Sequence, residues 1–225
     1  TVYSDVFGSY SRRSLPRCSP ATLQFPFFQA FINAWGKQIA PNGFTWSAFI
    51  VNKGTAAPRH RDRANHGLSL TKALGRFEGG QLRAWPQVDS WTSLDSLNVA
   101  NAVQYDVKQA VALYDGRKPH EVAPVVGGFR YSITSFHHAF AAQTHDNDLE
   151  VLETRGYPAV SRSALAVNSE MLDNININIA DRMPRVPRVP PRRTDAPPPA
   201  PNALQLEELR KQAASTSSRR GRFKF

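Results

Sequence analysis

Hydrophobic and polar residues along this chain follow first one period and then another. Between residues 21 and 39, Leu23, Phe27, Phe28, Phe31, Ile32 and Trp35 recur at helix-like spacing. The spacing predicts a helix packed on a core, with Pro26 inside it. Pro41-Asn42-Gly43 then signals a turn. Beyond it the period drops to two: Phe44, Trp46, Ala48 and Ile50 alternate with other residues, as on a half-buried strand. Residues 52–58 read as a loop. Short strand-like runs follow at 68–74, 81–85, 104–107, 111–114, 120–123 and 129–136. Phe77-Glu-Gly-Gly80, Asp115-Gly116 and Gly127-Gly128 break them. Many short strands at this spacing predict a mainly β chain with flanking helices, a sandwich or a barrel.

The two ends behave differently. Residues 1–18 are polar with scattered aromatics and arginines, and read as an arm. From about residue 157 the pattern weakens. Asn174-Ile-Asn-Ile-Asn-Ile179 alternates like an edge strand, and equally like a disordered polar tract. Residues 184–201 hold eight of the chain's 17 prolines and read as a stiff, extended linker. Leu204, Leu206 and Leu209 suit a short helix over Ala203–Ala214. The organisation predicted is an N-terminal arm and packing helix (1–40), a core (41–156), a poorly defined extension (157–183) and a Pro-rich basic disordered tail (184–225).

Composition sharpens this picture. The 225 residues suffice for one domain with a sizeable core and something left over. The chain opens on Thr1 rather than methionine, which reads as a fragment or processed piece. No apolar run approaches the ~20 residues a membrane span needs, so a soluble protein with no membrane partner is expected. Cys18 is the single cysteine, which excludes intramolecular disulfides and cysteine-rich zinc modules and allows a reducing, intracellular compartment. Of the net charge of +10, residues 181–225 carry eleven Lys/Arg against four Asp/Glu, hence +7, leaving +3 for the rest. The basic end, Arg219-Arg-Gly-Arg-Phe-Lys224, suits phosphate contact or nuclear import, and equally a solubilising tail.

The chemistry gathers elsewhere. His60 and Asp62 form an H-x-D pair, His120 follows far downstream, and Arg130 stands ten residues after it in Gly127-Gly-Phe-Arg130-Tyr-Ser132. Alone, His60 and Asp62 read as a solvated loop ion pair, and His120 as a structural histidine. Together, two histidines and a carboxylate can occupy one face of an Fe(II) octahedron and leave three positions open. An arginine one short strand away can clamp a dicarboxylate through a bidentate pair. Ser132, two residues on along the same strand face, can add a hydrogen bond. The combination points to an Fe(II) oxygenase with 2-oxoglutarate as co-substrate and O2 as oxidant. A double-stranded β-helix, or jelly roll, suits such a site, because its open mouth can hold a metal between two sheets. His60 and Asp62 are then expected at the end of one strand, His120 on a neighbouring late strand, and Arg130 deeper, on the last.

His60-Arg-Asp62-Arg-Ala-Asn65, with Gly67 and Ser69 after it, resembles the iron motif of the TET/J-binding-protein (JBP) family of DNA-base oxygenases. Arg130-Tyr-Ser132-Ile-Thr-Ser-Phe136-His-His138 is similar to that family's closing strand. The resemblance covers roughly residues 44–140. It implies 2-oxoglutarate on Arg130 and Ser132, and a flipped pyrimidine hydrogen-bonded by Asn65 and His138 and stacked on Phe136. It also implies a DNA partner and oxidation of the 5-methyl group of 5-methylcytosine or thymine. The animal TET enzymes carry a cysteine-rich zinc-binding region that one cysteine cannot build. Phe136 also lacks the hydroxyl that a tyrosine would supply. Oxidation of protein side chains or RNA is the alternative within the enzyme class. Outside it, the alternative is a degenerate oxygenase fold that binds nucleic acid through its basic tail. Oligomeric state is not legible in the sequence.

Overall fold

The computed structural model describes residues 3–11, 15–54, 56–158 and 164–171. In chain order the elements are β1 (Tyr3–Tyr10), β2 (Arg17–Cys18), α1 (Pro20–Gln24), α2 (Pro26–Ile39), β3 (Ala48–Lys53), β4 (Ala57–His60), β5 (Asn65–Leu74), β6 (Phe77–Gly79), β7 (Leu82–Ala84), β8 (Val103–Tyr105), β9 (Ala112–Asp115), β10 (His120–Val122), β11 (Val125–Gly128), β12 (Tyr131–His138) and α3 (Asp146–Thr154). Short 3-10 turns interrupt the stretch from Leu94 to Asn101 and follow β12.

The strands pair antiparallel into a large sheet, β2-β1-β3-β12-β5-β9, a small sheet, β4-β10-β7-β8, and a two-stranded ribbon, β11-β6. Renumbering β3, β4, β5, β7, β8, β9, β10 and β12 as one to eight gives 1-8-3-6 in one sheet and 2-7-4-5 in the other. That order, with the chain crossing between sheets, is a jelly roll, the core expected from the sequence.

Strict alternation divides the labour of the large sheet. Phe49 and Val51 of β3, Leu68 and Leu70 of β5 and Ile133 of β12 join one apolar cluster with Ile32 of α2 and Leu152 of α3. Ile50, Asn52, Thr71, Ser132, Thr134 and Phe136 line a cavity on the other face. A second cluster, including Ala73, Leu82, Val107, Ala112 and Tyr114, packs the interior beside the cavity.

Several expectations are corrected. Residues 3–10, expected within an arm, form a strand in register with β3, where Val6 pairs with Ile50 and Phe7 with Phe49. The single helix expected across Pro26 is two, because Pro26 starts α2 at Phe25, where a bend replaces helical backbone. The stripe that α2 buries is Gln29, Ile32, Asn33 and Gly36, while Phe27 and Phe31 are exposed. Asn33 decides the orientation: its Oδ1 accepts from the Trp46 indole at 2.8 Å, and its Nδ2 donates to the Arg155 carbonyl. Two expected breaks, around residues 77–80 and 127–128, pair with each other as β6 and β11. Within the expected extension, residues 164–171 are helical, and buried Asn168 of that segment bonds both the N–H and the carbonyl of Thr45. The expected strand at Asn174–Ile179, the Pro-rich linker, the helix at Ala203–Ala214 and the basic end lie outside the described residues.

Candidate active site

His60 ends β4 and His120 opens β10, and the two face each other as cross-strand partners. One extra residue on β4 between this pair and the next makes a bulge, which turns the strand end toward the cavity. Asp62 follows in the loop, its backbone N–H held by the Gly116 carbonyl at 2.8 Å. One ligand atom from each of His60, Asp62 and His120 lies within 4.8 Å of the others. His60 Nε2 is 3.6 Å from Asp62 Oδ1, and His120 Nε2 is 3.7 Å from Asp62 Oδ2.

Both imidazoles are oriented in the same way. His60 Nδ1 donates to the Pro58 carbonyl at 2.7 Å, and His120 Nδ1 donates to the Lys118 carbonyl at 2.9 Å. A carbonyl only accepts, so Nδ1 carries a proton in each ring, which leaves Nε2 as the nitrogen turned toward Asp62. Burial, and then the His60 charge, push the His120 pKa below its ordinary value, so it is held neutral, as a metal ligand must be.

The triad edges a cavity of about 360 Å3, within the range of small-molecule sites. Arg130, Ser132, Thr134 and Phe136 line it in a single row along the β12 side. Arg130 is 6% exposed, and its Nε has no hydrogen-bond partner. Among the described residues it makes no ion pair; its guanidinium rests 5.8 Å from the Phe77 ring centroid. Gly80 gives it room, since a Cβ there would lie 3.0 Å from Arg130 Cδ. A buried cation facing a cavity with no ion-pair partner among the described residues suits a carboxylate. The residues therefore fit Fe(II) on the triad and the remote carboxylate of 2-oxoglutarate on Arg130.

Sequence reasoning overlooked part of the wall. Tyr114 of β9 sits edge-on to His120, with ring centroids 5.1 Å apart. Its hydroxyl is 3.4 Å from Thr71 Oγ1, which is 2.8 Å from Thr134 Oγ1. Burial, and then the Asp62 charge, raise the Tyr114 pKa, so this hydroxyl keeps its proton. The available signal was cross-strand: polar Thr71 and Thr134 stand at cavity-facing positions of strands that pair directly.

The residues implied for base contact are placed unequally. Phe136 is buried and lines the cavity. Asn65 lines it too, but its amide donates to Asp62 Oδ2 and Ser69 Oγ, each at 3.3 Å. His138 is 4% exposed, and both its ring nitrogens are engaged. Nε2 contacts the Ser11 carbonyl at 3.0 Å, and Nδ1 accepts from the Phe140 N–H at 3.2 Å. Burial lowers its pKa.

A neighbouring segment is tied to both ligand-bearing strands. Arg59 stacks on Trp85 at 4.3 Å and donates to the Leu94 and Leu97 carbonyls. Arg61, between His60 and Asp62, donates to the Asp89 and Thr92 carbonyls, and Lys118 donates to that of Val88. Trp91, at the tip, is 81% exposed.

No protein-family model and no curated protein matches this chain. Solved structures similar to it include a 2OG-Fe(II) oxygenase family oxidoreductase from Burkholderia pseudomallei, at 17% identity and TM-score 0.40, over 60% of this chain and 65% of that one. NgTET1 in complex with 5mC DNA is similar at 13% identity and TM-score 0.43, over 67% of this chain and 68% of that one. A prolyl-4-hydroxylase from Pseudomonas putida is similar at 22% identity and TM-score 0.30, over 42% of this chain and 53% of that one. The chain thus spans just under two thirds of the length of the Burkholderia oxidoreductase.

Proposed function

We propose that this protein is an Fe(II)/2-oxoglutarate-dependent dioxygenase. The observation that carries the reading is one cavity with two complementary needs. At one end stand two imidazole Nε2 atoms and a carboxylate; at the other is the buried guanidinium of Arg130, which makes no ion pair among the described residues. Fe(II), 2-oxoglutarate and O2 would supply, when bound, the oxidising power for C–H hydroxylation, with succinate and CO2 as co-products. The chain's own part is to hold and exclude. His60, Asp62 and His120 hold the cation. Arg130 pairs with the remote carboxylate, and the Ser132 hydroxyl adds a hydrogen bond. The walls of Tyr114, Leu82 and Val122 keep bulk water from the reacting centre.

For the substrate we propose the 5-methyl group of a pyrimidine in DNA, 5-methylcytosine or thymine. The support is the H-R-D-x-x-N and R-x-S-x-x-x-F motifs, together with the aromatic wall that Phe136 contributes to the triad's cavity. An enzyme acting on that methyl must extrude the base and stack it. The engagement of both His138 nitrogens argues against that side chain as a base reader, which leaves Phe136 as the better-supported contact.

The test is succinate formation and nucleoside mass spectrometry after incubation with Fe(II), 2-oxoglutarate and a methylated or unmethylated duplex. Oxidised 5-methylcytosine or thymine is expected. Turnover confined to an RNA or a peptide would keep the cofactors and remove the DNA substrate. Absence of any iron-dependent succinate would leave a non-catalytic oxygenase fold.

A further inference from the structure

The side chain best fixed at the metal site is one that does not ligate. Asn65 opens β5 three residues after Asp62, and is 8% exposed. Its Nδ2 has two hydrogens and uses both, one on Asp62 Oδ2 and one on Ser69 Oγ. Its backbone N–H donates to the Asp62 carbonyl at 3.0 Å. Ser69, the other anchor, is fully buried. The Asp115-Gly116 turn closes over the same atoms. A Cβ on Gly116 would come within 2.9 Å of Ser69 Oγ, 3.1 Å of Asn65 Nδ2 and 3.4 Å of Asp62 Oδ2. The turn thus closes against the three side chains, and any larger residue at 116 would push on Ser69 and Asn65.

We propose that Asn65 is a positioning residue for the metal-binding carboxylate, claiming one Asp62 oxygen so that only the other serves the cation. The proposal rests on the triad being an Fe(II) site, as argued above. Its chemical reason is coordination number. A carboxylate can bind a cation through one oxygen or both. Two imidazoles and one carboxylate oxygen would leave three positions on a six-coordinate cation for co-substrate and oxidant. A second carboxylate oxygen would fill one of them. A hydrogen bond from Asn65 to Oδ2, braced by Ser69, disfavours that mode and stops the Asp62 side chain from rotating. The H-R-D-x-x-N motif then has a local logic: its last residue reaches back to its carboxylate, whatever substrate enters the cavity.

Metal binding without substrate separates this role from base contact. Co(II) affinity and absorption bands would be measured for the full chain, wild type and variants, with no 2-oxoglutarate or DNA present. Asn65→Ala should weaken Co(II) binding by about 10- to 100-fold, the usual effect of removing a partner that orients a ligand. It should also shift the Co(II) bands, because the carboxylate mode changes. Ser69→Ala should move affinity the same way by a few-fold. Ser69 does not line the cavity, so a base-contact role for Asn65 would leave that variant silent. It also carries the test if Asn65→Ala fails to fold. Wild-type Co(II) affinity and spectrum in both variants would overturn the proposal, even with base oxidation lost in Asn65→Ala. Wild-type protein that binds Co(II) no better than His60→Ala would remove the triad reading itself, and the role of Asn65 with it.

Discussion

Replacing Arg130 with lysine separates the forked geometry of the guanidinium from its charge. Arg130 is buried, its Nε is unpartnered, and burial lowers its pKa, yet arginine starts so high that it stays protonated. Its guanidinium rests 5.8 Å from the Phe77 ring centroid and makes no ion pair among the described residues. A bound carboxylate would give it two parallel N–H···O bonds. Lysine, a point charge on a flexible stem, keeps one. Losing one charge-assisted hydrogen bond costs ~1.5–3 kcal/mol. At ~1.4 kcal/mol per tenfold, that weakens 2-oxoglutarate binding about 10- to 150-fold. The Phe77 contact does not alter the figure, because it is present before and after binding. The assay is calorimetric titration of 2-oxoglutarate without oxygen, with Mn(II) in place of Fe(II). Arg130→Met completes the argument: binding should vanish, while free-protein stability should hold or rise, because an unpaired buried charge is gone. Wild-type affinity in Arg130→Lys would refute the clamp. Severe destabilisation of Arg130→Met would show that the arginine serves the fold.

His60→Ala, Asp62→Ala and His120→Ala should each abolish iron-dependent succinate formation, since an open three-ligand site cannot spare a ligand; normal iron content and turnover in any one would sink the triad. His137, fully buried beside Thr45, has its pKa pushed down to about 3 by burial and then by the His66 charge. The unfolded chain, with a histidine pKa of ~6.5, therefore takes up the proton first, and stability falls as pH drops below about 6.5. From pH 7 to pH 5 the loss should be roughly 2 kcal/mol, and urea unfolding of His137→Gln should lack that component. Trp91 is 81% exposed, Trp35 is half-buried, and Trp46 and Trp85 are 1% and 2% exposed, so Trp91→Phe should remove the most readily acrylamide-quenched component of the tryptophan fluorescence and leave that of Trp35; an unchanged quenching curve would show that Trp91 is shielded.

Local signals foretold much of this, and failed where partners lie far apart in the chain. The period-two row Arg130, Ser132, Thr134, Phe136 could be read directly, because alternation needs only one strand. The triad spacing could be read because ligand chemistry restricts residue types. Tyr114 could not, since its place in the wall depends on β9 lying beside β5. The family resemblance that suggests His138 as a base contact says nothing of Ser11 and Phe140, which occupy its nitrogens. Glycine pairs at 79–80 and 127–128 looked like punctuation, yet with positive φ they carry a ribbon that pairs two expected breaks. On α2 the aromatic stripe misled, because Asn33 and Gln29 satisfy buried partners that no hydropathy pattern reveals.

The strand order has a kinetic meaning. β3 is flanked by β1 and β12, and Lys53 pairs with Tyr131 across about 80 residues of chain, a closure whose entropy must be met before any contact rewards it. Such non-local pairing makes for slow folding. Arg130, Ser132 and Phe136 arrive with β12, the last strand among the described residues, so no early folding unit contains the finished cavity. A chain emerging from the ribosome has His60 and Asp62 about 70 residues before Arg130, and His120 only ten residues before it. Metal captured during synthesis would therefore meet an incomplete ligand set, and the proposed centre can form only once β12 has zipped between β3 and β5.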